Sequence, residues 1–188
     1  MKSHLLHETI GRLIRSDDFS NEGKIQVLMD TACDKENRRR ISLCKQTTGD
    51  PIRYFDVDML IAIGGRAKVI IEIEESNVKP VQIFGKLFAS AFSDYFKYSG
   101  QESDIPSPID KAILFVQILD SSKLNVEQSR KTVQWAHIQR SIQESLKSPY
   151  GRIKKYILFQ GTPRDFKQDA EKGRRLIEKI KEILEKNP

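Results

Sequence analysis

Cysteine is nearly absent from this chain: only Cys33 and Cys44 occur in 188 residues, with no CxxC pair and no surrounding cluster of histidines. That excludes a disulfide framework and a cysteine-based zinc module, and predicts a reducing, cytoplasmic setting. Long hydrophobic runs are also lacking. The apolar stretch Ile113-Leu114-Phe115-Val116 is far below the roughly 20 residues that span a bilayer, so no membrane helix is expected. The opening Met1-Lys2-Ser3-His4-Leu5-Leu6-His7-Glu8 has no apolar core of signal-peptide length, which argues against secretion. There is no internal repeat and no low-complexity tract. The three histidines, His4, His7 and His137, show no HExxH or similar spacing, so no zinc site is implied.

What is present is a mixed and slightly basic charge pattern. Lys and Arg number 32 against 26 Asp and Glu, and the resulting net charge of +6 favours a polyanionic partner. The length suits one domain over 1–188. Gly49-Asp50-Pro51, Gly64-Gly65, Ile105-Pro106-Ser107-Pro108 and Gly161-Thr162-Pro163 separate elements within it. The apolar spacing predicts a helix over 4–15, a second over 22–35, and β structure over 38–44, 52–63 and 67–75. It then predicts a helix over 80–97, a strand over 111–119, a helix opened by Asn125 and Gln128 and reaching Leu146, a strand over 155–160, and a final helix from Thr162. The order α(α)βββαβαβα implies an α/β fold with a mixed sheet flanked by helices.

The segments around Gly64-Gly65 carry the chemistry. In strict alternation, Val57, Met59, Ile61 and Ile63 share an apolar face with Ala67, Val69, Ile71 and Ile73, while Asp56, Asp58, Lys68, Glu72 and Glu74 lie on the other. An odd loop, Gly64-Gly65-Arg66, superposes the apolar faces and pairs Asp58 with Glu72 and Asp56 with Glu74; a two-residue loop sets apolar against polar. Carboxylates opposed at roughly 5 Å repel. A hard divalent cation, Mg²⁺ or Mn²⁺, is the natural resident.

Val57-Asp58-Met59-Leu60-Ile61, a turn, Ile70-Ile71-Glu72-Ile73-Glu74 and then a helix resemble the PD-(D/E)XK nuclease superfamily over residues 4–119. The resemblance implies a restriction-endonuclease-like core, αβββαβ, with a C-terminal αβα extension over 120–188. It implies Asp58 and Glu72 as metal ligands, assisted by the Ile73 carbonyl, and a Mg²⁺-dependent DNA endonuclease. Glu74 stands where the family has Lys and Val57 where it has Pro, and the E-x-E variant is similar to that of some type II restriction enzymes. By the same resemblance Glu74 would act on the attacking water, and Glu8, Gln82 and Lys86 are supporting candidates. On a helical wheel, however, Gln82 and Lys86 fall opposite a core face drawn through Phe84, Leu87, Phe88 and Ala91.

Arg38, Arg39, Arg40, Arg53 and Lys68, with Lys45, Arg152, Lys154 and Lys155, are candidate phosphate contacts, and Trp135 and Tyr54 are candidate stacking residues or core. The expected partners are DNA and a second copy of the chain, since a homodimer addresses both strands. A structure-specific junction or repair nuclease, and an inactive nuclease-fold module binding DNA or a protein, are the alternatives.

Overall fold

In the computed structural model, Gly64 and Gly65 take φ of 56° and 75°, the left-handed pair that closes a two-residue hairpin turn. The structure describes residues 4–17, 19, 24–36, 39–46, 50–75, 78–99, 106–122, 130–146 and 151–186. The turn joins β4 (Met59–Ile63) to β5 (Arg66–Glu74), with Ile63 opposite Arg66 and Ala62 opposite Ala67. One residue later the register shifts: Ile61 faces Val69, so Lys68 is the extra residue of a β-bulge. The loop is therefore even, not odd as expected. The odd residue lies in the strand, and Met59 still faces Ile71, which carries Asp58 toward Glu72.

The bulge also corrects which residues share a face. Ala67 packs with Ala62, Leu60 and Ile70 in one core, whereas Val69 packs with Ile61, Met59 and Ile71 in the other. A second break does the same at Asp58, where β3 (Ile52–Val57) ends and β4 begins. Val57 consequently belongs with Leu60 and not with Met59.

Around this hairpin stand α1 (Leu5–Ser16), β1 (Ile25–Met29), β2 (Ile41–Lys45), α2 (Pro80–Phe92), β6 (Tyr95–Tyr98), β7 (Ser107–Asp120), α3 (Arg130–Ser145), β8 (Ile153–Gly161) and α4 (Glu171–Lys186). The sheet runs β1-β4-β5-β7-β6-β2-β3, with β8 also on β7. β1, β4 and β5 are antiparallel, and β5, β7 and β8 are parallel, so the mixed α/β sheet expected from the element order is present. β6 and β8 divide one edge of the long β7: Ser107 and Pro108 pair with β6, and Ile113 to Asp120 with β8. α1 and α4 cover one face through Leu6, Ile10, Ile14, Leu176 and Ile180. α2 and α3 cover the other through Ile83, Leu87, Ala91, Trp135 and Ile138. Trp135 is therefore core, while Tyr54 is exposed.

The expected helix over 22–35 is instead β1 followed by turns. Ile25, Val27 and Met29 alternate, and they face Ile63, Ile61 and Met59 along β4. Pairing with β4 overrides the weak helical spacing of a short segment. The helix expected to reach 97 stops at Phe92, because Ser93 turns its backbone N–H onto Ser90 and its hydroxyl onto Ala89. Tyr95–Tyr98 then pairs with β2. Thr162 opens only a 3-10 turn, Pro163–Phe166, capped by Asp165, and α4 begins at Glu171. Asn125 and Gln128 lie outside the described residues. No helix among them is long and apolar enough to cross a membrane.

α1 seats on the turn after β1 at Gly11. A Cβ there would stand 2.2 Å from the Cys33 carbonyl oxygen, whereas one at Gly85, exposed on α2, would meet nothing within 4 Å. Gly11→Ala is expected to lower stability by about 1–3 kcal/mol through overpacking. Gly85→Ala is expected to raise it by about 0.5–1 kcal/mol through helix propensity. Urea unfolding of the two variants beside the parent checks both signs.

Candidate metal and acid-base centre

The parallel strands β5 and β7 end side by side, with Glu72 opposite Gln117 and Glu74 opposite Leu119. Ligand sites of open α/β sheets gather at such carboxyl ends. Asp58, at the break between β3 and β4, is held there by a hydrogen bond from the Ile73 backbone N–H to its Oδ2, 2.6 Å. Its own carbonyl accepts from the Asp30 N–H at 2.9 Å. Thus the expected Ile73 contributes its N–H to orienting Asp58.

Glu72 is fully buried on the α2 side of the sheet. Burial first, then the neighbouring Asp58 charge, hold its carboxyl well above the usual range, and Lys86 opposes them. Lys86 reaches from α2 to Glu72 Oε2 at 2.6 Å and to Glu74 Oε1 at 2.5 Å. Although burial lowers an ammonium, the two carboxylates win and raise Lys86 above its ordinary value. The wheel reading of this residue is overturned. The buried face of α2 runs through Ile83, Leu87, Ser90 and Ala91, while Phe88 and Phe92 are 52% and 48% exposed, so Lys86 borders the core face. Gln117 anchors α2 above Glu72: its Nε2 donates to the Ile83 carbonyl at 3.4 Å and its Oε1 accepts from the Tyr156 hydroxyl at 2.7 Å.

Glu72 Oε1 is buried and has no hydrogen-bond donor among the described residues. With Asp58 it presents hard oxygen donors, a set that fits Mg²⁺ or Mn²⁺. Glu74 Oε1 is also buried without a hydrogen-bond partner among the described residues, but it lies in an ion pair with the Lys86 ammonium.

The other candidates distribute as follows. Asp56 is not in the centre: Ser42 Oγ donates to it at 2.6 Å, Arg53 pairs with it, and Arg40 Nε lies 4.0 Å away. The break at Asp58 sends β3 to pair with β2, so Asp56 never faces Glu74. Glu8 turns to Lys35 at 2.7 Å. Gln82 accepts from the Lys79 N–H at 2.8 Å as a cap of α2 and does not reach the carboxylates. Lys68, the bulge residue, is buried against Asp110 at 2.5 Å, so it is not an exposed phosphate contact. Arg40 and Arg53 keep 70% and 52% side-chain exposure. Arg39 lies over the Tyr98 ring at 5.1 Å beside them, and Arg38 lies outside the described residues. Lys45 and Arg152 both pair with Asp94, and Lys155 with Glu182.

Sequence reasoning missed the contribution of α1, which is His7 and not Glu8. His7 Nε2 lies 3.5 Å from Asp58 Oδ1, and Nδ1 lies 3.1 Å from Glu75 Oε1. Its only signal was position, one residue before an acid already weighed on the same helix. Asp30 was missed as well, and burial with the Asp58 charge raises its carboxyl. The thiol of Cys33, behind them, is pushed up by burial and by Asp58, and is inert as a nucleophile.

Burial alone would lower the His7 imidazole, but the Asp58 and Glu75 charges outweigh it and raise it to about 9. A raised imidazole stabilises the fold fully below its unfolded value near 6.5, and that contribution is lost as pH climbs through about 9. In chelator, the parent should lose on the order of 3 kcal/mol more than His7→Gln between these limits. Urea midpoints across the window measure it, and parallel curves for the two proteins would contradict it. Glu72 acts in the same direction from its own ordinary range upward and cancels in the difference. The chain matches no protein-family model, no curated protein and no solved structure, so what this centre does is argued from its residues and their geometry.

Proposed function

We propose that this chain is a Mg²⁺-dependent DNA endonuclease, with Mn²⁺ as an alternative ion. The single observation that carries the reading is the Lys86 ammonium held between Glu72 and Glu74. It supplies from α2 the cation that the E-x-E strand lacks, so two carboxylates and a lysine are again in one place. Under this reading α1, β1, β4, β5, α2 and β7 are the restriction-endonuclease-like core. β2, β3 and β6 are an inserted layer, and α3, β8 and α4 are the extension.

Asp58 and Glu72 would hold the ion, which when bound supplies Lewis-acid stabilisation of the phosphate and an acidified water. The protein's own groups do the rest. The Ile73 N–H on Oδ2 and His7 beside Oδ1 fix the Asp58 carboxylate, so it needs little reorganisation when substrate arrives. Lys86 places a fixed positive charge where negative charge grows during attack on phosphorus. Glu74 holds that ammonium in place and is the group able to orient the attacking water or take its proton. Arg39, Arg40 and Arg53, clustered on the β2 and β3 layer, bind the phosphate backbone without reading sequence. The reading carries with it a cytoplasmic homodimer, so that two centres address two strands.

Cleavage of supercoiled plasmid tests it. The parent should cut with Mg²⁺ and stop on chelation, and Asp58→Ala and Glu72→Ala should be inactive. Lys86→Ala should lose roughly 10²–10³-fold in rate, the usual cost of removing one preorganised donor, while Gln82→Ala keeps most activity. Discrete bands favour a restriction-type enzyme over a structure-specific one. Failure of the parent to cut under any divalent ion would sink the proposal and leave a nuclease-like module that binds without cleaving.

A further inference from the structure

His4 stands at the N-cap of α1 yet makes no side-chain capping bond. Glu75, from the end of β5, caps in its place: its Oε1 accepts from the backbone N–H groups of Leu6 and His7 at 2.5 and 3.0 Å. That leaves the His4 ring and the second Glu75 oxygen free for another task, and they face each other, Nδ1 to Oε2, at 3.3 Å. His7 completes the group. It is 7% exposed, and its Nδ1, though 3.1 Å from Glu75 Oε1, has no hydrogen-bond partner among the described residues. One ligand atom from each of His4, His7 and Glu75 lies within 4.8 Å of the others.

We propose that His4, His7 and Glu75 bind one transition-metal ion of the zinc class, at a site separate from the Asp58 and Glu72 oxygens. Two imidazole nitrogens and a carboxylate are the donors such ions prefer, whereas the neighbouring all-oxygen pair suits Mg²⁺. Ligand atoms about 2.0–2.1 Å from a tetrahedral zinc stand roughly 3.4 Å apart; His4 and His7 each lie near that distance from one Glu75 oxygen, 3.3 Å from Oε2 and 3.1 Å from Oε1, so a small closure would complete the set. The supporting contacts are also in place. The Nε2 edge of His7 faces Asp58 Oδ1 at 3.5 Å, so an ion taken up at Nδ1 would displace the proton there and leave the other on Nε2, toward Asp58. The two backbone N–H groups on Oε1 orient Glu75. With His4 half-exposed, the fourth position opens to solvent. Through His7 the ion would bear directly on the orientation of Asp58.

Co²⁺ is the probe, titrated into the full, tag-free chain and followed by its visible absorption, without DNA. One ion per chain with an intense tetrahedral spectrum is expected. His4→Gln, an exposed change at the start of the helix that leaves the core untouched, should weaken it at least tenfold. Glu75→Gln should weaken it further. Glu72→Gln, which removes the proposed Mg²⁺ centre, should leave it intact, so this site and the nuclease reading fail independently. Absence of Co²⁺ binding would overturn the proposal. So would a spectrum unchanged by His4→Gln, or one lost in Glu72→Gln with His4→Gln intact, which would put the ion on the carboxylate pair.

Discussion

A carboxylate with no solvent exposure is tolerated in a protein interior only when a proton, a cation or several donors offset the cost of removing it from water. Glu72 is such a group, and much of the surrounding architecture follows from it. Lys86 is drawn down from α2 to answer its charge, Glu74 holds the other side of that ammonium, and Gln117 fastens the helix by the Ile83 carbonyl. Asp58, close enough to push the Glu72 carboxyl upward, makes the balance incomplete. One Glu72 oxygen remains buried without a donor among the described residues. An excess of negative charge in a dry corner is the electrostatic condition for holding a divalent ion.

Two local irregularities put the acids there. The break at Asp58 turns one continuous apolar and polar stretch into β3 and β4, which pair with different neighbours, and frees the Asp58 carboxylate to receive the Ile73 N–H. The bulge at Lys68 lets a tight glycine turn coexist with matched apolar faces. Without the bulge the turn would set the core residues of β4 against the wrong face of β5. The same strand end then serves α1, because Glu75 caps its first turn, pairs with His4 and brings His7 beside Asp58.

The acid pair was legible in the sequence because it depends on strand alternation, a period that short segments display clearly. Asp58 and Glu72 could be paired before any coordinates were known, although the odd residue was placed in the loop instead of in the bulge. Lys86 was not legible. Phe84 and Phe88 rotated the apparent core face of α2 away from Lys86; Leu87 and Ala91 are buried as drawn, but tertiary packing turns the face toward Ile83 and Ser90. His7 was hidden for a similar reason, since it gains meaning from Glu75, 68 residues away, through a cap that no local pattern announces. Asp56 misled because alternation was carried across a break that the sequence does not mark. The short β1, whose pairing with β4 outweighs its own helical spacing, was lost for want of length.

The central claim is that Asp58 and Glu72 together hold a divalent ion with Lys86 at its side. Anomalous diffraction from crystals soaked in Mn²⁺ tests it most directly. The account predicts a peak about 2.0–2.2 Å from a carboxylate oxygen of each acid, with the Lys86 ammonium still within reach of Glu74. Crystals that take up Mn²⁺ elsewhere, with Glu72 still closed on Lys86 and no density between the two acids, would contradict it.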